Sequence, residues 1–205
     1  MDSKQRIIEE AAFLFRTYGI RTVTMDMLAS KLGISKRTIY EIFSDKDEIL
    51  DGVVGWMMKK QQEVIQQVLS ESDNVIEALF RIMDLMTVHY HMMSPAFRLD
   101  LKRMHGVRLE KLRDLNEMPD SGHFRMIIER GVREGIFRED IDVSVINRCM
   151  FEVGKMSASD DISPTGEIPA EEVMKNVYLN YLRGISTPKG LDLINFYEKR
   201  ENNRN

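Results

Sequence analysis

Two short amphipathic helices joined by a tight turn are written into the stretch Thr24–Phe43, TMDMLASKLGISKRTIYEIF, and few folds accommodate such a pair. Thr24 has the hydroxyl an N-cap needs to satisfy an orphan amide of the first helical turn. Met27, Leu28 and Leu32 follow at helical spacing and mark one apolar face. The small Ala29 suits a close helix crossing. Gly33 supplies the positive φ of a sharp helix-to-helix turn, a conformation that residues with side chains resist. Ile34 is placed to plug that turn into a core, and Ser35 to cap the next helix. The second helix sends Lys36, Arg37, Thr38 and Tyr40 outward and keeps Ile39 and Phe43 as apolar anchors. A helix-turn-helix lays such a second helix in the DNA major groove while the first crosses the backbone.

At these residues the chain resembles the tetracycline-repressor (TetR) family of transcriptional regulators. The resemblance is carried by Ala11-Ala12, Phe15, Gly19, Thr22, Thr24, Leu28-Ala29, Gly33-Ile34-Ser35, Thr38-Ile39-Tyr40, Phe43, Lys46 and Leu50. Arg37 stands where the family often has glycine, Glu41 where a basic or aromatic residue is usual, and Ile42 where histidine or tyrosine is common. These departures concern the DNA sequence that is read, not the fold. The resemblance implies an all-α chain. A three-helix helix-turn-helix DNA-binding domain would occupy residues 1–46, and a larger helical ligand-binding and dimerisation domain residues 47–205. It also implies a repressor rather than an activator.

Composition narrows the functional classes. A net charge of −4 excludes a generally basic nucleic-acid coat, so DNA contact must come from local charge at Lys31, Lys36, Arg37 and Lys46. The lone cysteine, Cys149, rules out an internal disulfide framework and fits a reducing compartment. Its apolar neighbours Met150 and Phe151 make it read as a buried small hydrophobe rather than a nucleophile. The N-terminus has no apolar signal region, and no run approaches the ~18 apolar residues of a membrane span. The expected location is therefore cytoplasmic, with no membrane partner.

The rest of the chain reads as helices. The spacing of Ile7, Ala11, Leu14, Phe15 and Tyr18 predicts a first helix over about Ser3–Tyr18, ended by Gly19. Arg21 and Thr22 fit a phosphate contact or a solvated linker equally well. Ser44-Asp45, followed by Asp47 and Glu48, predicts the start of a long helix through Ile49, Val53, Trp56, Ile65 and Val68. Lys46 opposes the dipole there unless a phosphate docks at that end. Further helices are expected over about Asn74–Met93, from Ala96, over Ser121–Glu134, after Asp140 or Asp142, and over Ala170–Ser186. SASDDISPTGEIP reads as a loop, and the tail after Ser186 as one apolar turn before fraying.

Candidate site residues follow from these placements. Lys36 and Arg37 are the candidate base readers, Arg37 being able to bond a guanine bidentately. Thr24, Ser35, Thr38, Tyr40 and Lys46 are the candidate phosphate contacts that set register on double-stranded DNA. The resemblance implies that the last two long helices pair with a second copy in a homodimer. Ile146, Met150, Val153, Val177, Tyr181 and Ile185 supply apolar surface for that, or else close the monomer core. A two-fold pair would read an inverted repeat. The family's inducer site falls in the same half. There Met83, Met86, Tyr90, Met93, Phe97, Met104 and Phe124 suit either a pocket for a small apolar or amphipathic ligand or an ordinary helical core. An enzyme is not expected. His89 and His91 point in different directions on a helix, His105 and His123 stand alone, and no phosphate loop, nucleophile elbow, metal-ligand spacing or cofactor motif is present. Two rival readings keep the fold: a DNA binder controlled by a protein docked on Phe196 and Tyr197, and a helical carrier whose first half no longer reads DNA.

Overall fold

The computed structural model describes residues 2–101, 103, 122–149 and 170–202. Ten helices are described. They are α1 (Ser3–Tyr18), α2 (Met25–Leu32), α3 (Lys36–Tyr40), α4 (Lys46–Glu71), α5 (Val75–His91), α6 (95–101), α7 (Gly122–Arg133), α8 (143–149), α9 (Ala170–Ile185) and α10 (Pro188–Asn202). No strand is found among the described residues; the one β-like feature is an isolated antiparallel bridge between Phe137 and Ser186. The all-α fold is thus as expected, and α1 has the bounds its periodicity gives.

Two compact units are formed by the described residues of 1–63 with 88–119, and of 64–87 with 120–205. The first is built on Ile7, Ala11, Leu14 and Phe15 of α1, Leu28 and Ala29 of α2, Ile39 of α3, and Ile49, Leu50 and Val53 of α4. Phe97 of α6, 1% exposed, completes this core. Gly52 lets α4 approach α1, since a Cβ there would stand 3.0 Å from Ile8 Cδ1. The second core collects Ile65, Val68 and Leu69 of α4, Val75, Ile76 and Leu79 of α5, Ile127 and Ile128 of α7, Leu179, Leu182 and Ile185 of α9, and Ile194 of α10.

One side-chain pair builds the corner between α4 and α5. Arg130 of α7 donates to the carbonyls of Leu69 and, at 2.8 Å, Ser72. Both lie at the end of α4, where carbonyls lack helical partners. Glu134, ion-paired with Arg130, accepts the Val75 amide at 2.9 Å, where α5 begins. Each charge meets the helix end its sign favours.

The tail differs from expectation. Pro188–Asn202 is a 15-residue helix rather than a single turn. Thr187 Oγ1 accepts the Gly190 amide at 3.3 Å as its cap, and Pro188 has the φ of a first helical residue already set. Ile194 is fully buried, and the Tyr197 ring lies 5.8 Å from Phe80 with its hydroxyl bonded by Asn74. Tyr197 is thus held within the unit, and Phe196, 57% exposed, is the aromatic of the tail left open. Cys149 also departs from its reading: it is exposed. On α8 it is Val143 and Ile146 that pack against the core.

Gly190 sits where α10 crosses the 136–138 segment. A Cβ there would run into the Ile136 carbonyl and meet Ser186 Cβ and Oγ at 3.0 Å. Because backbone cannot yield as a side-chain tip can, Gly190→Ala is expected to destabilise the second unit by about 1–3 kcal/mol, read as a lowered urea midpoint.

Candidate nucleic-acid interface

The turn between α2 and α3 is made as its residues dictate. Thr24 Oγ1 accepts the Met27 amide at 3.2 Å, starting α2. Gly33 ends it in the left-handed region (φ 67°, ψ 32°), and its amide closes onto Ala29 and Ser30. Ser35 Oγ accepts the Thr38 amide at 3.1 Å, starting α3, and the two hydroxyls lie 2.9 Å apart. Ile39 is fully buried and Phe43 is 1% exposed, so one side of this segment is fixed in the core. The opposite side carries Lys36, Arg37 and Tyr40, all exposed.

The two candidate base readers are not free cations. Lys36 Nζ lies 2.9 Å from Asp26 Oδ1, and that hydrogen bond and charge raise its pKa. Arg37 Nε donates to Glu41 Oε1 at 3.1 Å, one helical turn on. Thr24 and Ser35 use their hydroxyls as caps, and Thr38 is half-buried.

Lys46 faces inward. Its ammonium donates to the Val23 carbonyl and stands 5.9 Å from the centre of the Phe15 ring. Burial pushes its pKa down, against the opposing charges of Asp100 and Asp47. The start of α4 is closed by its own side chains: Asp45 accepts the Glu48 amide at 2.8 Å, and Glu48 accepts the Ser44 amide at 2.6 Å. Those bonds from Ser44 hold the Glu48 carboxyl below the usual carboxylate range. Lys4, over the Phe43 ring at 5.5 Å, is a neighbouring cation that sequence reading passed over.

Asp100 was also missed. This α6 residue is 7% exposed, and its carboxylate accepts the Arg21 amide at 3.1 Å while pairing with the Arg21 guanidinium at 3.5 Å. Ser94, the cap of α6, donates its amide to the Arg16 carbonyl at 3.0 Å. The turn from Gly19 to Val23, which aims α2, is therefore held by Asp100 at one point and by Lys46 at another. Nothing local in the sequence announces a partner 79 positions away.

The other candidate residues are distributed as follows. Met93 and Phe97 pack in the first unit's core. In the second unit Met86 packs against the core and Met83 is half-buried on the same helix. Met104 and the side chains of Tyr90 and Phe124 lie outside the described residues. Among the dimerisation candidates, Ile185 is 6% exposed in the core of its own unit. Ile146 and Tyr181 pack against that core, the tyrosine hydroxyl 3.5 Å from the Ile146 carbonyl. Burial, with Cys149 nearby, pushes the Tyr181 hydroxyl up to about 12. Val177 is 39% exposed and Val145 55%, and Met150 and Val153 lie outside the described residues. Among the described residues, no group of three or more His, Cys, Asp or Glu is placed to hold a metal, and no helix is long and apolar enough to cross a membrane.

Removing the Asp100 carboxylate leaves the Arg21 amide without its acceptor. The exposed side of the Arg21 ion pair contributes little, so Asp100→Ala is expected to cost about 1.5–3 kcal/mol, the loss of a hydrogen bond to a charged group. Denaturant unfolding followed by the fluorescence of Trp56, which packs against this core, reads the change.

Comparison with known proteins agrees with this geometry. The sequence model described as bacterial regulatory proteins, tetR family, matches residues 7–53. The transcriptional repressor KstR2 of Mycobacterium tuberculosis (strain H37Rv) is 23% identical over 190 residues, spanning 90% of this chain and 93% of that protein. The crystal structure of PfmR, a TetR family transcriptional regulator from Thermus thermophilus, is 30% identical, with 89% of this chain and 100% of that one covered and a TM-score of 0.55. Thermus thermophilus FadR, a TetR family repressor solved with lauroyl-CoA, shares the fold at a TM-score of 0.65 and 17% identity, over 90% of this chain and 95% of that one. With a full-length relative at 30% identity and a capped, core-anchored helix-turn-helix of its own, this chain belongs to the TetR family and is a DNA-binding transcriptional regulator.

Proposed function

We propose that this protein is a repressor that binds an inverted-repeat operator as a homodimer and leaves it when a small apolar or amphipathic ligand binds. The observation that carries the reading is the two-sidedness of α3 and its end: Ile39 and Phe43 are buried, while Lys36, Arg37 and Tyr40 are exposed. A helix so fixed presents a constant set of groups to a major groove, yet it contacts few bases. Useful specificity then asks for two copies related by a two-fold axis. Val145 and Val177, both open on the second unit, are apolar surface of the kind a second copy covers. The relatives KstR2 and FadR carry the name repressor, and FadR was solved with lauroyl-CoA, which supports a ligand of that general character. Such a ligand acts by binding the DNA-competent and DNA-incompetent states unequally.

Selection of tight-binding duplexes from a random pool, with sedimentation of the resulting complexes, tests the reading. An inverted repeat bound by two copies is the expected outcome; a single unrepeated site, or one copy per duplex, overturns it. On the selected operator, Arg37→Ala is expected to lower discrimination at one position in each half-site by about 1–3 kcal/mol, as for loss of a bidentate base contact. Competition between single-base operator variants measures it. A uniform loss across all variants would instead make Arg37 a phosphate contact. Addition of lauroyl-CoA to the complex, as the first probe for release, completes the test.

A further inference from the structure

We propose that Asp26 and Glu41 are specificity-determining residues: each withholds one cation of the reading surface, Lys36 or Arg37, from generic phosphates until a fitting base sequence is met. The inference rests on the DNA-reading role of α3 given above. Both oxygens of Asp26 lie within reach of Lys36 Nζ, at 2.9 and 3.0 Å, and Glu41 Oε1 lies 3.1 Å from Arg37 Nε. None of the four is needed by the core, for all are exposed, Arg37 to 89% on its side chain and Glu41 to 61%. Asp26 has a second role, since an acid in the first turn of α2 suits the dipole. Glu41 has no such excuse. It closes α3, the end where a negative charge is disfavoured, and the contact it makes there is with Arg37.

The consequence follows from how the two kinds of DNA contact differ. Generic affinity depends on how many phosphates the protein neutralises and how many counterions it frees. A cation already committed to a carboxylate frees fewer, and it brings a negative charge toward the phosphates. At a fitting sequence both members of a pair find partners, because guanine accepts from arginine at O6 and N7 and the cytosine amine donates to a carboxylate. On unfitting DNA the arginine can turn to a phosphate only by leaving Glu41 unpaired beside it. The penalty therefore falls on the wrong complexes, which is how repulsive groups create discrimination.

The test compares full-length wild type, Glu41→Gln, Asp26→Asn and Glu63→Gln. The last removes another exposed carboxylate, paired with Lys60 on α4, and so controls for net charge. Affinity is measured for a random-sequence duplex and for the best selected duplex over a series of salt concentrations. Glu41→Gln and Asp26→Asn are each expected to tighten random-duplex binding about three- to tenfold and to steepen its salt dependence by roughly one counterion per released cation. The selected duplex should change less, so the ratio of selected to random affinity falls, and Glu63→Gln should leave that ratio unchanged. The proposal is overturned by unchanged random-duplex binding, by an equal gain on both duplexes, or by a matching effect of Glu63→Gln. A wild type that selects no sequence sinks the operator reading instead, and the random-duplex arm still reports on the masking.

Discussion

The proposed reading of DNA by α3 depends on the burial of Ile39 and Phe43. A helix of five residues is far below the ~12–15 at which isolated helices become even marginal in water. Burying each apolar side chain supplies on the order of 1.5–3 kcal/mol, and Ser35 satisfies an amide that would otherwise be unpaired. The reading surface is thus held in place by the core of the first unit, to which α1, α2, α4 and α6 all contribute. The exposed Lys36, Arg37 and Tyr40 do not have to anchor the helix they stand on.

That arrangement leaves charge free to be used for control. The chain is acidic overall, at −4, and four cations near α3 are engaged internally: Lys36 with Asp26, Arg37 with Glu41, Lys46 with a backbone carbonyl, Arg21 with Asp100. The first two pairs are exposed. The last two are different in kind. The Asp100 carboxylate is withdrawn from solvent and the Lys46 ammonium partly so, and both aim the turn ahead of α2. Lys46 is thereby a positioning group in the DNA-free protein, and α4 is opened by Asp45 and Glu48.

The sequence was most legible where the determinants are local. Thr24, Gly33 and Ser35 act on amides and dihedrals within a few residues, and the structure has them capping and turning as their chemistry dictates. The bounds of α1 follow from one stripe of apolar residues. Legibility ended where distant groups meet. Asp100 looks like any acid on an amphipathic helix until Arg21 is folded against it. The tail reads as one apolar turn before fraying, because the contact of the Tyr197 ring with Phe80 of α5 joins groups far apart in the sequence. Cys149 took its reading from apolar sequence neighbours, yet on α8 it is Val143 and Ile146 that turn to the core. The methionine-rich stretch divides in the same way: composition groups Met86, Met93 and Phe97, and packing assigns Met86 to the second core and Met93 and Phe97 to the first.

The corner made by Arg130 and Glu134 has a consequence for how the second unit breathes. Ordinarily the last turn of one helix and the first turn of the next fray independently, each with its own exposed amides or carbonyls. Here one guanidinium holds the carbonyls that end α4, and its carboxylate partner holds the amide that begins α5. Neither end can open without disturbing the ion pair that closes the other. Hydrogen exchange at the two ends should therefore be correlated, and α4, α5 and α7 should open at that corner as one cooperative unit.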